Sequence, residues 1–227
     1  MSSERVEIHT HGMTADDVVA VARRDAEVIL SPDALAAMDR TRTMVEALAA
    51  QAEPVYGIST GFGALATKHI PHDKRTQLQR SLIRSHAAGW GPLVEREVVR
   101  ALMLLRLKTL CSGRTGARPA TAQTMAALLN AGITPVVHEY GSLGCSGDLA
   151  PLSHCALVLM GEGRATDRDG VERPVPELLA EAGIEPIELQ EKGGWLSSTA
   201  LTACSECCSS RSPTSTCSAT APTASLR

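Results

Sequence analysis

The residues best suited to chemistry lie in Gly141-Ser142-Leu143-Gly144-Cys145-Ser146-Gly147-Asp148-Leu149-Ala150-Pro151. A serine just ahead of a helix has two ordinary uses, as the cap of that helix or as a nucleophile on a tight turn. The nucleophile-elbow pattern G-x-S-x-G fails, because Ser146 is followed directly by Gly147 and no parallel strand is expected before it. The tripeptide Cys145-Ser146-Gly147 offers a third chemistry. The amide nitrogen of Gly147 can attack the carbonyl carbon of Cys145 and close a five-membered ring. Glycine suits the attacking position because it has no Cβ to obstruct the bend. Loss of water from the ring and from the Ser146 side chain leaves 4-methylidene-imidazol-5-one (MIO), an electrophile that no ordinary side chain supplies. The first residue contributes only its carbonyl, so a cysteine there is tolerable. A helix starting near Asp148 would turn its positive end toward the ring.

Other stretches admit plainer readings. Val55-Tyr56-Gly57-Ile58-Ser59-Thr60-Gly61-Phe62-Gly63 reads as a glycine-rich turn, and a phosphate loop is disfavoured because no lysine follows in the G-x-x-x-x-G-K pattern. His86 reads as a histidine near a helix end. His9, His11, His69 and His72 fall in polar segments without metal-ligand spacing and are expected at the surface. His138 and His154 are expected to be structural. Arg114 and Arg118, in Ser112-Gly113-Arg114-Thr115-Gly116-Ala117-Arg118-Pro119, are expected to pair with acids or shape the loop. Cys111, Cys145 and Cys155 read as free thiols, since nothing in the polar N-terminus marks a secreted chain.

The elements that must position these residues are helical. Thr14 can cap a helix over 15–26, and Ser31-Pro32-Asp33 starts another that runs to about Gln51. Further helices are expected over 73–88 with Gly89 as the stop, over 94–112, over 119–131 ended by Gly132, and over 148–160 ended by Gly161. In the 94–112 helix, Val98, Leu102, Leu105 and Cys111, with Val99, Met103 and Leu110, are expected to form the buried face. Met103, Met125 and Met160 read as core filler, and Asp169-Gly170 suggests a surface hairpin. Composition agrees: 44% of the 227 residues are hydrophobic and only 2% aromatic, which disfavours β-sandwiches and base-stacking surfaces. A net charge of −3 gives no general attraction to nucleic acid or anionic lipid, and no apolar run is long enough to span a membrane. The expectation is a mainly α, cytoplasmic protein.

After Lys192 the periodicity stops. In 193–227, 19 of 35 residues are Ser, Thr or Cys and three are charged. Such a composition suits a disordered tail. It also suits a reading frame displaced by one base, because the T that opens many Ser, Cys and Trp codons then becomes the middle base of apolar codons. Regrouped codons for 194–203 give L-A-L-I-N-G-T-D-G and, beyond it, a helical Ala/Leu/Asp pattern. The chain is therefore expected to divide into a folded part, 1–192, and an out-of-frame tail, 193–227. On this reading the C-x-x-C at Cys204 and Cys207 is not a metal or redox motif.

Taken together, Gly141–Pro151, Val55–Gly63, Ser112–Pro119 and Leu78-Gln79-Arg80-Ser81-Leu82-Ile83-Arg84-Ser85-His86-Ala87-Ala88-Gly89 resemble, in order, the motifs of the aromatic amino acid ammonia-lyases, and most closely those of their histidine-deaminating branch. The resemblance implies the N-terminal helical domain of that fold, with short β-hairpin segments and without the long central helix bundle. It implies deamination of L-histidine to trans-urocanate and ammonia, with MIO formed autocatalytically from Cys145, Ser146 and Gly147 and with no metal. Tyr56 then matches the base that takes the β-proton, which requires lowering its pKa from about 10. Ser85 and His86 match the pair that binds an imidazole ring, and His86 joins Tyr56, Cys145, Ser146 and Gly147 among the catalytic residues. Implied partners are an amino acid substrate and, in the longer family members, a homotetramer whose sites combine residues from several subunits. The family's asparagine beside the ring falls in an N-G-T segment found here only in the displaced frame. The 227-residue chain is thus expected to be inactive alone. The alternatives are a tyrosine or phenylalanine ammonia-lyase or aminomutase of the same family, and a nonfunctional fragment or interaction protein.

Overall fold

The computed structural model describes residues 4–51, 53, 55, 58–61, 67–142 and 149–188. These form a mainly helical body with three small sheets. The first strand, β1 (Arg5–Ile8), is followed by α1 (Ala15–Arg24) and β2 (Glu27–Leu30). In β1 a period of two buries Val6 and Ile8 and exposes Arg5 and Glu7, the pattern of a strand with one covered face. β1 and β2, which the sequence pattern did not mark, pair in parallel, so the first β unit is a crossover through α1. The far edge of β2 is closed by Asn130: Val28 N–H donates to Asn130 Oδ1 (2.8 Å) and Asn130 Nδ2 donates to the Val28 carbonyl (2.9 Å). One side chain thereby does the work of another strand.

α1 opens with the expected Thr14 cap, here a full capping box with Asp17. It ends at Arg24 rather than at residue 26, because Asp25 takes a left-handed conformation (φ 52°) and closes the last turn. α2 (Pro32–Ala49) starts behind the Ser31 cap as expected. α3 (His72–His86) stops three residues before the expected glycine. Next come β3 (Trp90–Leu93), α4 (Arg96–Leu110) and α5 (Pro119–Ala131), the last ended by Gly132 at φ 78°.

α4 is the central helix. Its buried residues are Val99, Arg100, Ala101, Met103, Leu104, Arg106, Leu107 and Leu110, whereas Val98, Leu102 and Leu105 are half-buried. Of the expected face, Val99, Met103, Leu110 and Cys111 are buried, and the buried surface extends further round the helix because α4 is covered on more than one side, chiefly by α1 and α5. The fully buried Arg100 ties these helices together: Nη2 donates to the Val21 carbonyl (2.8 Å), Nη1 donates to the Leu129 carbonyl (3.1 Å), and Asp25 balances the charge at 2.9 Å.

β4 (Thr134–Pro135) pairs antiparallel with β6 (Arg164–Thr166), which forms the expected hairpin with β7 (Glu172–Pro174). The hairpin turn is held by Asp167, whose Oδ1 accepts from the amides of Asp169 (3.0 Å) and Val171 (2.8 Å). Between these strands lie β5 (His138–Tyr140), which pairs antiparallel with β3, and α6 (Leu149–Leu159); α7 (Val175–Ala182) follows the hairpin. Met103, Met125 and Met160 are buried as expected. Among the described residues, no helix is long and apolar enough to cross a membrane.

Candidate functional site

Ser85 and His86 form the last turn of α3. The Ser85 hydroxyl donates to the Leu82 carbonyl (2.8 Å), and His86 Nδ1 lies 2.8 Å from the same carbonyl oxygen and 3.0 Å from Ser85 Oγ. A carbonyl only accepts, so Nδ1 carries the ring proton and Nε2 carries the lone pair. His86 is half-buried and Ser85 exposed. The pair therefore presents an oriented acceptor at the mouth of the helix end.

The helix does not stop on a left-handed glycine. Ala87 sits at φ −75°, ψ 63° and the Ala88 amide donates to the His86 carbonyl (2.8 Å), an inverse γ-turn. Gly89 is glycine for space. A Cβ there would lie 3.0 Å from His154 Nε2 and 3.3 Å from His138 Cβ. Gly141 obeys the same constraint, since its Cβ would meet the Gly89 Cα at 3.1 Å and the Ala150 Cβ at 3.0 Å. The turn that follows Ser85-His86 thus lies against Gly141, on the N-terminal side of the Cys145-Ser146-Gly147 tripeptide, and against His154 of α6, which follows it.

α3 and α6 are packed to keep that contact. Ile83, Ala156 and Met160 make a small buried cluster between them, and the Arg84 guanidinium grips Glu162 through two hydrogen bonds (2.9 and 2.7 Å). The Arg84 hydrogen bond holds the Glu162 carboxyl below the usual range.

Cys145, Ser146, Gly147 and Tyr56 lie outside the described residues. The flanks of Tyr56 are firmly held. The Val55 amide donates to Ser59 Oγ (2.8 Å), and the Val55 carbonyl accepts from the amides of Ile58 and Ser59 (3.0 Å each). Thr60 bridges to His69, and the Ile70 amide donates to the Ser59 carbonyl (2.9 Å). Arg75, in the first turns of α3, then joins the carbonyls of Ile70 (3.0 Å) and Ala49 (3.2 Å). So the Tyr56 loop is anchored at the start of α3 and Ser85-His86 closes its end. A helix of 15 residues separates them by about 22 Å along its axis.

The remaining candidates are structural in position. Gly113 and Gly116, both at positive φ, let their loop press on Ala37 and Val45 of α2, where an added Cβ would come within 2.6 and 2.4 Å. Arg118 lies near Glu46, whose carboxyl is held low by its Arg42 hydrogen bond and by both guanidinium charges, while Arg114 is exposed. His9, His11, His69 and His72 are exposed. Cys111 and Cys155 are buried free thiols, and burial pushes them up to about 11 and about 12. No group of three His, Cys, Asp or Glu among the described residues could hold a metal ion. In the sequence Gly89 reads only as a helix stop, and the packing role of Gly141 is not marked by the residue itself. The available signal was a histidine three residues before Gly141 and another three after Pro151.

The chain is similar to known proteins in sequence and in fold. The sequence profile described as "Aromatic amino acid lyase" matches residues 13–219. A histidine ammonia-lyase of Streptomyces avermitilis is 68% identical over 189 residues, covering 83% of this chain and 37% of the relative. A MIO-dependent tyrosine 2,3-aminomutase of Streptomyces globisporus is 42% identical over 189 residues, covering 83% and 35%. The crystal structure of histidine ammonia-lyase from Trypanosoma cruzi superposes with a TM-score of 0.78 at 34% identity, covering 86% of this chain and 37% of that one. The chain thus spans a little over a third of the length of these relatives.

Proposed function

Because the chain belongs to the aromatic amino acid lyase family, we propose that it carries the prosthetic-group and ring-binding parts of a histidine ammonia-lyase, which converts L-histidine to trans-urocanate and ammonia. The observation that carries this reading is the oriented His86. With Nδ1–H held by the Leu82 carbonyl, Nε2 offers a lone pair to the N–H of a substrate imidazole. A phenyl ring has no donor to give it. The 68% identity to a histidine ammonia-lyase supports the same substrate.

Cys145, Ser146 and Gly147 fit a MIO by their chemistry: a carbonyl to be attacked, a serine to dehydrate, and an unhindered glycine amide to attack. Once closed, that ring supplies the electrophile to which a substrate amine adds. His86 orients the imidazole and Ser85 braces His86. Tyr56 takes the β-proton, so that ammonia can leave with the double bond formed. α6 starts at Leu149, two residues beyond Gly147 in the sequence, so a helix N-terminus follows the tripeptide closely along the chain. Anchoring the Tyr56 loop at the opposite end of α3 from His86 supports a site completed by another copy of the chain, as in a homotetramer. Residues 193–227 are read as an out-of-frame tail that contributes nothing to the site, so the 227-residue chain alone has little activity.

A hydroxyphenyl group can also donate to Nε2, which keeps a tyrosine lyase or aminomutase as the second reading, in line with the 42% identical aminomutase. The experiment is to express the coding sequence as it stands and with one base restored near the Lys192 codon, then offer L-histidine, L-tyrosine and L-phenylalanine. The expected product is urocanate, from the restored frame only. Coumarate, a β-amino acid, or no product from either frame overturns the proposal, and urocanate from the unaltered chain overturns the reading of the tail.

A further inference from the structure

The region between α3 and α6 holds two histidines that the proposed reaction does not use. The Gly89 amide donates to His154 Nε2 at 3.1 Å. An amide can only donate here, so His154 is neutral, with its lone pair on Nε2 and its proton on Nδ1. Burial, reinforced by the neighbouring His138, holds the His154 pKa below the ordinary histidine value. His138 holds the strand that follows, its Nδ1–H donating to the Gly91 carbonyl of β3 at 2.9 Å. The two rings meet edge to face, with centroids 5.8 Å apart.

We infer that His154 is a positioning residue: by holding the Gly89 amide it fixes the Ser85-His86 turn against Gly141, which leads into the Cys145-Ser146-Gly147 tripeptide. The role assigned to the turn rests on the histidine ammonia-lyase reading; the coupling of His154 to His86 does not. Only Ala87 and Ala88 separate His86 from Gly89. Ala87 is locked in the inverse γ-turn, with its own amide donating to the Ile83 carbonyl (2.9 Å). A fixed Gly89 therefore leaves His86 little freedom to swing. His154 is suited to this because it stands on α6, the helix that leads out of the tripeptide, five residues beyond its first residue Leu149. Substrate-ring placement and electrophile placement then share one helix. A displacement of the turn by a fraction of an ångström would otherwise misalign a bound ring. His138 adds a second hold at Gly91, so that the strand after the turn follows β5 into Gly141.

The test uses the full 227-residue chain, labelled with 15N, and compares it with His154→Phe and His154→Gln. Phe keeps a ring but has no acceptor, whereas Gln places an amide oxygen near the former Nε2. In the wild type, the His154 Nε2 resonance should be that of an unprotonated nitrogen. His154→Phe should speed hydrogen exchange at the Gly89 amide by about fivefold or more and shift the ring resonances of His86. His154→Gln should return both toward the wild type, and exchange in the α4 core should stay unchanged in each. The proposal is overturned if Phe leaves Gly89 and His86 as they were, or if Phe and Gln behave alike. It is also overturned if the wild-type Nε2 proves protonated at pH 8, a measurement that stands even where a variant fails to fold. None of these readouts needs turnover. Loss of the Gly89–His86 coupling therefore overturns the clamp alone, and an absence of histidine deamination in the restored frame overturns the function alone.

Discussion

Ile83→Ala should separate the two helices on which the candidate site depends. Ile83 is fully buried against Ala156 and Met160, with the half-buried Leu157 and Ile187 beside them, and it precedes Ser85 by two residues. The change removes three carbons at about 0.8 kcal/mol each and leaves a cavity that the rigid α6 can only partly fill. The expected cost is about 3 kcal/mol, inside the range of about 2–5 kcal/mol for such truncations. That is a large share of a total stability of about 5–15 kcal/mol, and it should lower Tm by about 6–12 °C. Urea unfolding followed by far-ultraviolet circular dichroism reads the difference directly, with the slope expected to be unchanged. Ile29→Ala is the control: Ile29 is 38% exposed and should lose no more than about 0.5 kcal/mol. If Ile83→Ala costs less than about 1 kcal/mol, or no more than the control, α3 and α6 are not held by this cluster. The packing basis of the site then fails with it.

Arg106 is 7% exposed, its Nε has no hydrogen-bond partner, and burial lowers its pKa to about 10. Arg106→Met should therefore raise stability by about 1–3 kcal/mol, and a lower urea midpoint would refute the assignment of an uncompensated charge. The pKa of His154 is lowered by burial and by His138, so the folded state binds fewer protons there than the unfolded chain. Its contribution is complete above the ordinary value of about 6.5 and is lost as the pH falls toward the lowered folded value. Between pH 7.5 and pH 5.5, the urea midpoint of the wild type should fall further than that of His154→Gln; equal falls would refute it. Cys111 and Cys155, raised by burial to about 11 and about 12, should resist alkylation in the folded chain at pH 8. Peptide mapping that finds either one labelled at the rate of a free thiol would contradict their burial.

Much of the fold was legible because its signals are local. The Thr14 and Ser31 caps, the glycine closing α5 and the Asp169-Gly170 turn each satisfy backbone groups within a few residues, so the chain declares them without its neighbours. The β1–β2 pair was not legible. Its strands are four residues each and twenty-odd residues apart, and they are stabilised from outside by Asn130. The buried side of α4 was legible only in part, in Val99, Met103, Leu110 and Cys111, since a helix covered by several neighbours has no single stripe to read.

For the candidate site, the amino-acid sequence by itself determined the chemistry available: an x-Ser-Gly that can cyclise, a tyrosine in a glycine-rich loop, and a Ser-His pair. Residue types decide what can react, and types are written in the chain. Tertiary structure decided what stands beside what. It made Gly89 a point of contact rather than a helix stop, because the His154 ring and the His138 Cβ occupy the space a Cβ would need. It also set the proton on His154, because the Gly89 amide must donate to Nε2, whereas the His86 proton is set within its own helix by the Leu82 carbonyl. The His154 choice is not encoded near the residue it governs, since Gly89 is 65 positions away and only folding brings its amide within hydrogen-bond distance.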